Sequence, residues 1–371
     1  MENLFNIFAF EILKILDLYI IKKFLSTFVF VVFIFITIIV VIDIIEKMED
    51  LRKMKATAWE AFTQYYLNFI PYIANMISPI MVFITTIFVT AQMSERTEIV
   101  AILSSGISFL RFMVPYMISS SIIALFTFFL INWTIPMANK QRLDFELKHM
   151  KNAFRFSQQD VHIQVAPKAV AYIQSYENMT NIGYQFGIDI IDKNRLIQKL
   201  DAERILWDSL KSKWRIENYT VRTISGLKET MRKGKSLDTA LNLHPGDFQS
   251  KYMFNERLTL PELETYITLL RSRGADNTAS YVVEKYSRFT YPFAVIILTA
   301  IGVILSSRKN RRGVGAQIAV GFVIAFVYVL LYYLMVKGVA PNGSMPMLLA
   351  VWIPNIVFTM LAVILYKTVP K

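Results

Sequence analysis

The chain has 371 residues, 54% of them hydrophobic and 14% aromatic, and carries a formal net charge of +12. An apolar fraction that high, with charge gathered into blocks, is the composition of an integral membrane protein, so the basic excess reads as topology and not as a nucleic-acid partner. With no cysteine, disulfide and thiolate chemistry are excluded, and His149, His162 and His244 stand in no metal-ligand spacing.

In chain order, the first apolar run long enough to cross a bilayer is Phe24–Ile45. No small-residue cleavage pattern follows it, so it reads as an uncleaved anchor. Asp43 and Glu46 close this run, followed by the mixed-charge stretch KMEDLRKMK. Charges there either anchor the helix end at the interface or form a rim for a polar headgroup. In the second case Lys47, Arg52, Lys53 and Lys55 meet phosphates, and Asp43 and Glu46 do so through divalent cations.

The second and third runs are Phe69–Ala91 and Phe109–Trp133, joined by AQMSERTEIVAILSSGISFLRF. In this connector Ile99, Ile102, Leu103, Gly106, Ile107 and Leu110 recur at helical spacing, with Glu95, Glu98 and Ser105 mainly on the other face. A helix lying on a lipid surface is usually lysine-rich on its polar face, whereas this one presents carboxylates. It suits either a re-entrant connector or a helix that docks in a groove on a basic partner.

Residues 137–287 form the one long polar stretch. Met137 to Phe156 is charged and helix-compatible, extending the third run. From about 157 to 256 the texture is that of short strands: GYQFGIDII places Tyr184, Phe186, Ile188 and Ile190 at a period of two, and VAYIQSY and WRIENYTVRTI behave similarly. A sandwich, a jelly roll or a partly open barrel fits this pattern. Inner faces carrying Tyr184, Phe186 and Ile188 either line an apolar conduit or fill a closed core. KGKS at Lys233–Ser236 resembles the end of a phosphate-binding loop but lacks the earlier glycine and the strand-to-helix context. Residues 260–287 return to helix, with Thr259 and Glu262 spaced as a capping box and Gly274 as a break.

Three further runs follow, Phe289–Ser306, Ala316–Val336 and Met347–Tyr366. Arg308, Lys309, Arg311 and Arg312 in the loop after the fourth run, Lys14, Lys22 and Lys23 before the first, and Lys367 and Lys371 after the last fall on one side if the runs alternate. Basic short loops stay in the cytoplasm, which places both termini and the acidic connector there and residues 137–287 outside. The fold class is therefore an α-helical polytopic membrane protein with about six transmembrane helices and an inserted periplasmic all-β, jelly-roll-like domain. Residues 1–136 and 288–371 are its two membrane halves, with a connector helix at about 92–108. No catalytic constellation or nucleotide site stands out, so any ATP is hydrolysed by another chain.

The order of parts, with LDLYIIKKFLSTF at Leu16–Phe28, MSERTEIVAILSSGIS, the outer β region, LPELETYITLLRSRG and EKYSRFTYPF, resembles the lipopolysaccharide-export permeases of the LptF/LptG family, most closely the LptG type. The resemblance covers nearly the whole chain. It implies a non-catalytic permease subunit in the bacterial inner membrane, with no cofactor of its own and with ATP and Mg on an LptB-like ATPase dimer. The implied partners are an LptF-like second permease, LptC- and LptA-like periplasmic proteins, and lipopolysaccharide as cargo. It assigns ATPase coupling to Glu95, Glu98, Ile102 and Gly106. Asp43 departs from the pattern, standing where LptG proteins can carry a basic residue, so phosphate contact passes to Lys47 or Arg52. A permease for another envelope lipid or lipoprotein, or an envelope scaffold that transports nothing, remain the alternatives.

Overall fold

A computed structural model describes residues 15–53, 56–149, 160–166, 168–177, 180–193, 195–209, 211–226, 228–245, 254–272, 278–307 and 313–367. Lys14, Lys55, Gly274, the basic run Arg308–Arg312, Lys371 and the end of the Met137–Phe156 stretch lie outside these residues. The chain divides into two compact units, a helical one (Met1–His149, Glu256–Leu260 and Ala279–Lys371) and an inserted one (Met150–Asn255 and Pro261–Thr278).

Among the described residues, six helices of the helical unit are long and apolar enough to cross a membrane. They are α1 (Ile15–Glu46), α3 (Ala58–Glu95), α5 (Phe109–His149), α8 (Thr278–Ser306), α9 (Gly313–Tyr333, continued by a π turn at Leu334–Val339) and α10 (Met347–Lys367). Short helices α2 (Met48–Lys53) and α4 (Glu98–Ser104) lie between the first three. The run of Ile, Val and Phe in α1 has strand propensity, yet it is helical. In hydrocarbon each backbone N–H and C=O must find its partner within the segment, and that constraint outweighs propensity. At 1.5 Å per residue the 41 residues of α5 span about 60 Å, roughly twice a bilayer core, so the helix continues well beyond it as its charged C-terminal half requires.

The centre of the unit is α3 packed on α8. Small residues permit the approach: a Cβ on Gly302 of α8 would lie 2.9 Å from Cγ2 of Thr86, and one on Gly321 of α9 would overlap Ile87. Pro79 removes the N–H that would satisfy the Asn75 carbonyl one turn earlier in α3. The Tyr291 hydroxyl of α8 reaches that exposed turn, donating to the Met76 carbonyl at 2.7 Å. Asn355 of α10 ties three helices, accepting from the Tyr328 hydroxyl at 2.9 Å and donating to the Thr290 carbonyl at 2.9 Å.

The inserted unit is one six-stranded antiparallel sheet: β1 (Val161–Ala166), β2 (Ala169–Glu177), β3 (Ile182–Asp192), β4 (Arg195–Asp208), β5 (Lys213–Ser225) and β6 (Lys228–Thr239). The strands neighbour one another in sequence order, so the expected all-β insertion is built as a meander. The helix α6 (Phe254–Arg257) and the amphipathic α7 (Leu260–Ser272), which buries Leu263, Ile267 and Leu270, follow the sheet in the chain.

A crease crosses this sheet. The ladders pass over Gln174, Gln185, Glu203, Asn218 and Lys235, one residue on each of five adjacent strands, and Gln185 and Asn218 have φ of 48° and 52°. A left-handed residue shifts the period-two alternation by one place. Buried positions therefore stay on one face at an odd spacing: Ile173 and Tyr176 on β2, Gly183 and Phe186 on β3, Ala202 and Ile205 on β4. Trp214 is fully buried there, its indole N–H donating to the Leu243 carbonyl at 2.6 Å. KGKS lies inside β6, and its Gly234 makes room for the Tyr219 ring, which a Cβ would overlap, so the segment is strand and not a phosphate loop.

Candidate functional site

The acidic connector is shorter than its periodicity suggests. Helix α3 runs on through Glu95, Thr97 at φ 63° breaks it, and α4 occupies Glu98–Ser104 alone. Gly106 at φ 88° ends α4 in the left-handed conformation that glycine adopts without a Cβ penalty, and Ser108 caps α5 by accepting from the Arg111 N–H at 3.3 Å. The expected single helix over 92–108 is thus split by two left-handed residues. Ile99 is buried, and Ile102 and Leu103 pack beside it against Phe109, Phe112 and Met93. Leu110, grouped with them by spacing, belongs to α5 and is exposed.

The acidic residues diverge. Glu95 is exposed at the end of α3, while Glu98 turns toward α1. It accepts from the Tyr19 hydroxyl at 3.1 Å and pairs with Lys23 Nζ at 3.8 Å, and Lys23 in turn donates to Tyr19 at 3.2 Å. A second link sits beside it: Arg111, in the first turn of α5, donates to both oxygens of Asp17 at 2.7 and 2.6 Å. The Asp17 side chain is 2% exposed, and that fork-like pairing offsets the cost of burying its charge. Asp17, Tyr19, Lys23 and Arg111 were not singled out as site residues by periodicity. Their signal is chemical: a carboxylate opening one apolar run and a guanidinium opening another, at the same membrane face, each costly unless they meet.

At the other end of α1 the predicted rim separates into two sets. Asp43 and Lys47 pair at 3.0 Å one turn apart, Lys47 also donates to the Tyr65 hydroxyl, and Tyr65 donates to Asp43 at 3.4 Å. The Lys47 ammonium lies 4.4 Å from the centroid of the Tyr65 ring. Glu46 and Arg52 are exposed instead. Lys53 ends α2, and its side chain lies outside the described residues. Of the two residues to which phosphate contact would pass, Lys47 is therefore already engaged by Asp43 and by Tyr65 of α3, and Arg52 is exposed.

On the sheet, Phe186 is 1% exposed within the core, Ile188 packs beside it, and Tyr184 is 40% exposed. The crease at Gln185 puts Tyr184 on the opposite face, so the three residues do not line one surface. Among the described residues, no three His, Cys, Asp or Glu side chains gather as metal ligands.

Residues 18–368 match a protein-family model described as the lipopolysaccharide export system permease LptF/LptG. No curated protein matched the sequence.

Proposed function

The chain belongs to the lipopolysaccharide export permease family LptF/LptG, and from that premise we propose that it is the membrane subunit of an ATP-driven exporter whose α4 receives the motion of a separate ATPase. In this reading the protein sits in the inner membrane with both termini in the cytoplasm. An LptB-like ATPase dimer carries ATP and Mg, an LptF-like second permease completes the membrane part, and LptC- and LptA-like proteins take the lipid onward. The distribution of Lys and Arg in the short loops supports that orientation.

Energetics support the division of labour. Each acyl methylene taken from lipid to water costs ~0.8 kcal/mol, so one chain of about a dozen methylenes costs on the order of 10 kcal/mol. Extraction therefore needs an external energy source and an apolar route, and the sequence offers no nucleotide site of its own.

The observation that carries the proposal is the construction of α4. It is detached from both long neighbours by Thr97 and Gly106, buries Ile99 among α3 and α5, and joins α1 through Glu98. A short helix isolated in this way shifts as a unit and moves the first span with it. Glu98→Lys should abolish co-purification of the ATPase or reduce lipopolysaccharide release from reconstituted vesicles at least tenfold. Glu98→Gln, which can still accept from Tyr19, should retain more of both. Wild-type association together with wild-type release in Glu98→Lys would remove α4 from the coupling path.

A further inference from the structure

Helix α5 changes register partway along. Over Leu130–Thr134 it widens into a π turn, in which the Ile135 N–H reaches back five residues to the Leu130 carbonyl. Such a turn holds one residue more than an α-turn. Pro136 follows at once. It has no N–H to give the Asn132 carbonyl one turn earlier, and in an unbroken α-helix its ring would crowd that carbonyl. Helix α9 repeats the arrangement: its π turn at Leu334–Val339 closes with the Ala340 N–H on the Met335 carbonyl at 2.9 Å, and Pro341 comes next. Proline alone does not make such a turn, since Pro79, Pro115, Pro292 and Pro354 sit inside long helices with none directly before them. A cavity of about 210 Å³ lies against both turns, walled by Ile131, Ile135 and Pro136 of α5 and by Val336 and Lys337 of α9. Packed interiors hold few voids larger than a water, so this space gives the side chains of the turns room to rearrange. Asn132, fully buried within the α5 turn, donates to the Phe128 carbonyl at 2.8 Å while its Oδ1 has no partner, so the present register leaves the turn incompletely bonded.

If the turn closed to α, everything beyond it would advance by one residue's step, about 100° and ~1.5 Å. Each residue of the outer part of α5, Ile135–His149, would then take the place now held by the residue after it. Met137, Gln141 and Asp144, exposed here, would take the buried places of Ala138, Arg142 and Phe145. Leu143, fully buried, would take the exposed place of Asp144, and Glu146 the half-buried place of Leu147. The exchange is balanced. Met137 goes under as Leu143 comes out, and Asp144 goes under as Glu146 comes up. The place that Asp144 would enter is also prepared for a carboxylate: the Phe145 ring now there lies 6.4 Å from that of Tyr65, which carries the Lys47 ammonium over its face.

We propose that the outer part of α5 has a second seating, turned by one residue's step, and that the π turn with Pro136 is the joint that holds the first. Packed helices shift between discrete seatings and do not deform continuously. Such a joint lets the outer part turn without unwinding the membrane-spanning part. It stands on helix geometry and needs neither cargo nor ATPase.

The chain has no cysteine, so single cysteines report each face. Gln141→Cys, Asp144→Cys and Leu143→Cys would each be made in the full chain in lipid nanodiscs, with and without Pro136→Ala. The measurement is the rate of modification by a charged, water-soluble maleimide. With the proline kept, Gln141→Cys and Asp144→Cys should react at least tenfold faster than Leu143→Cys. Pro136→Ala restores the missing N–H and should invert that order, slowing the first two at least tenfold and speeding the third by a similar factor. A substitution that only loosens the helix speeds all three, and a turn fixed by its surroundings leaves all three unchanged. Either result would overturn the joint. Gln141 and Asp144 are exposed, so their slowing alone decides the matter where Leu143→Cys fails to fold.

Discussion

The two ends of α1 are held by different means. At its start, Asp17, Tyr19 and Lys23 reach partners on two other helices, Arg111 of α5 and Glu98 of α4. At its finish, Asp43 and Lys47 pair within one turn and meet the aromatic residues Tyr65 and Phe69 of a single helix, α3. Between them the hydrophobic stretch has no buried residues, and burial along α1 stops at Phe24. A span so arranged is anchored at its start by contacts distant in sequence and fastened at its finish by contacts closer in sequence. The bare middle leaves its side chains to lipid or to another chain.

The difference predicts unequal costs. Arg111→Ala should be the most damaging change, because it removes the two-pronged partner of the buried Asp17 carboxylate, and removing one partner of a buried pair costs ~3–5 kcal/mol. Thermal unfolding in detergent should show a large loss that Asp17→Asn partly restores in the double variant. If Arg111→Ala unfolds like wild type, the start of α1 is no more firmly fixed than its finish. Lys47→Ala comes next. Asp43 loses its ion pair but keeps the Tyr65 hydroxyl, so the loss should be about 1–2 kcal/mol. A loss equal to that of Arg111→Ala would erase the contrast.

The same contrast explains what the sequence revealed. All six spans were legible because lipid leaves an apolar run no alternative to helix, and the texture of β2, β3 and β5 was legible because period two is local. The faces of β3 were not: nothing in GYQFG marks Gln185 as left-handed, so Tyr184 was grouped with Phe186, from which the crease separates it. The length of α4 failed for the same reason, since Thr97 gives no more warning than Gln185. Glu98 stands out in the sequence by its spacing, but its partners do not, because Tyr19 lies 79 residues away and the Asp17–Arg111 link spans 94. Asp43 and Lys47 were named from one stretch, and they pair one turn apart. Contacts within a helix turn are readable from sequence, and those that fix α1 to its neighbours are not.

The smallest expected effect is also the most discriminating. Tyr19→Phe keeps the ring, the Lys23–Glu98 pair and the packing, and removes the single hydroxyl that donates to Glu98. A hydrogen bond to a carboxylate that is about a quarter exposed is worth on the order of 1 kcal/mol, so unfolding should shift only slightly. Lys23→Ala alone should cost about as little, since a partly solvated ion pair contributes ~1 kcal/mol or less. If both contacts hold the same carboxylate in one orientation, the double variant should lose more than the sum, because either partner alone still fixes Glu98 and neither does once both are gone. Strict additivity would mean that the two contacts act independently and that Glu98 is held in place by α4 itself. Spin labels on α1 and α4 separate these outcomes directly: the distance distribution should stay narrow in each single variant and broaden in the double one.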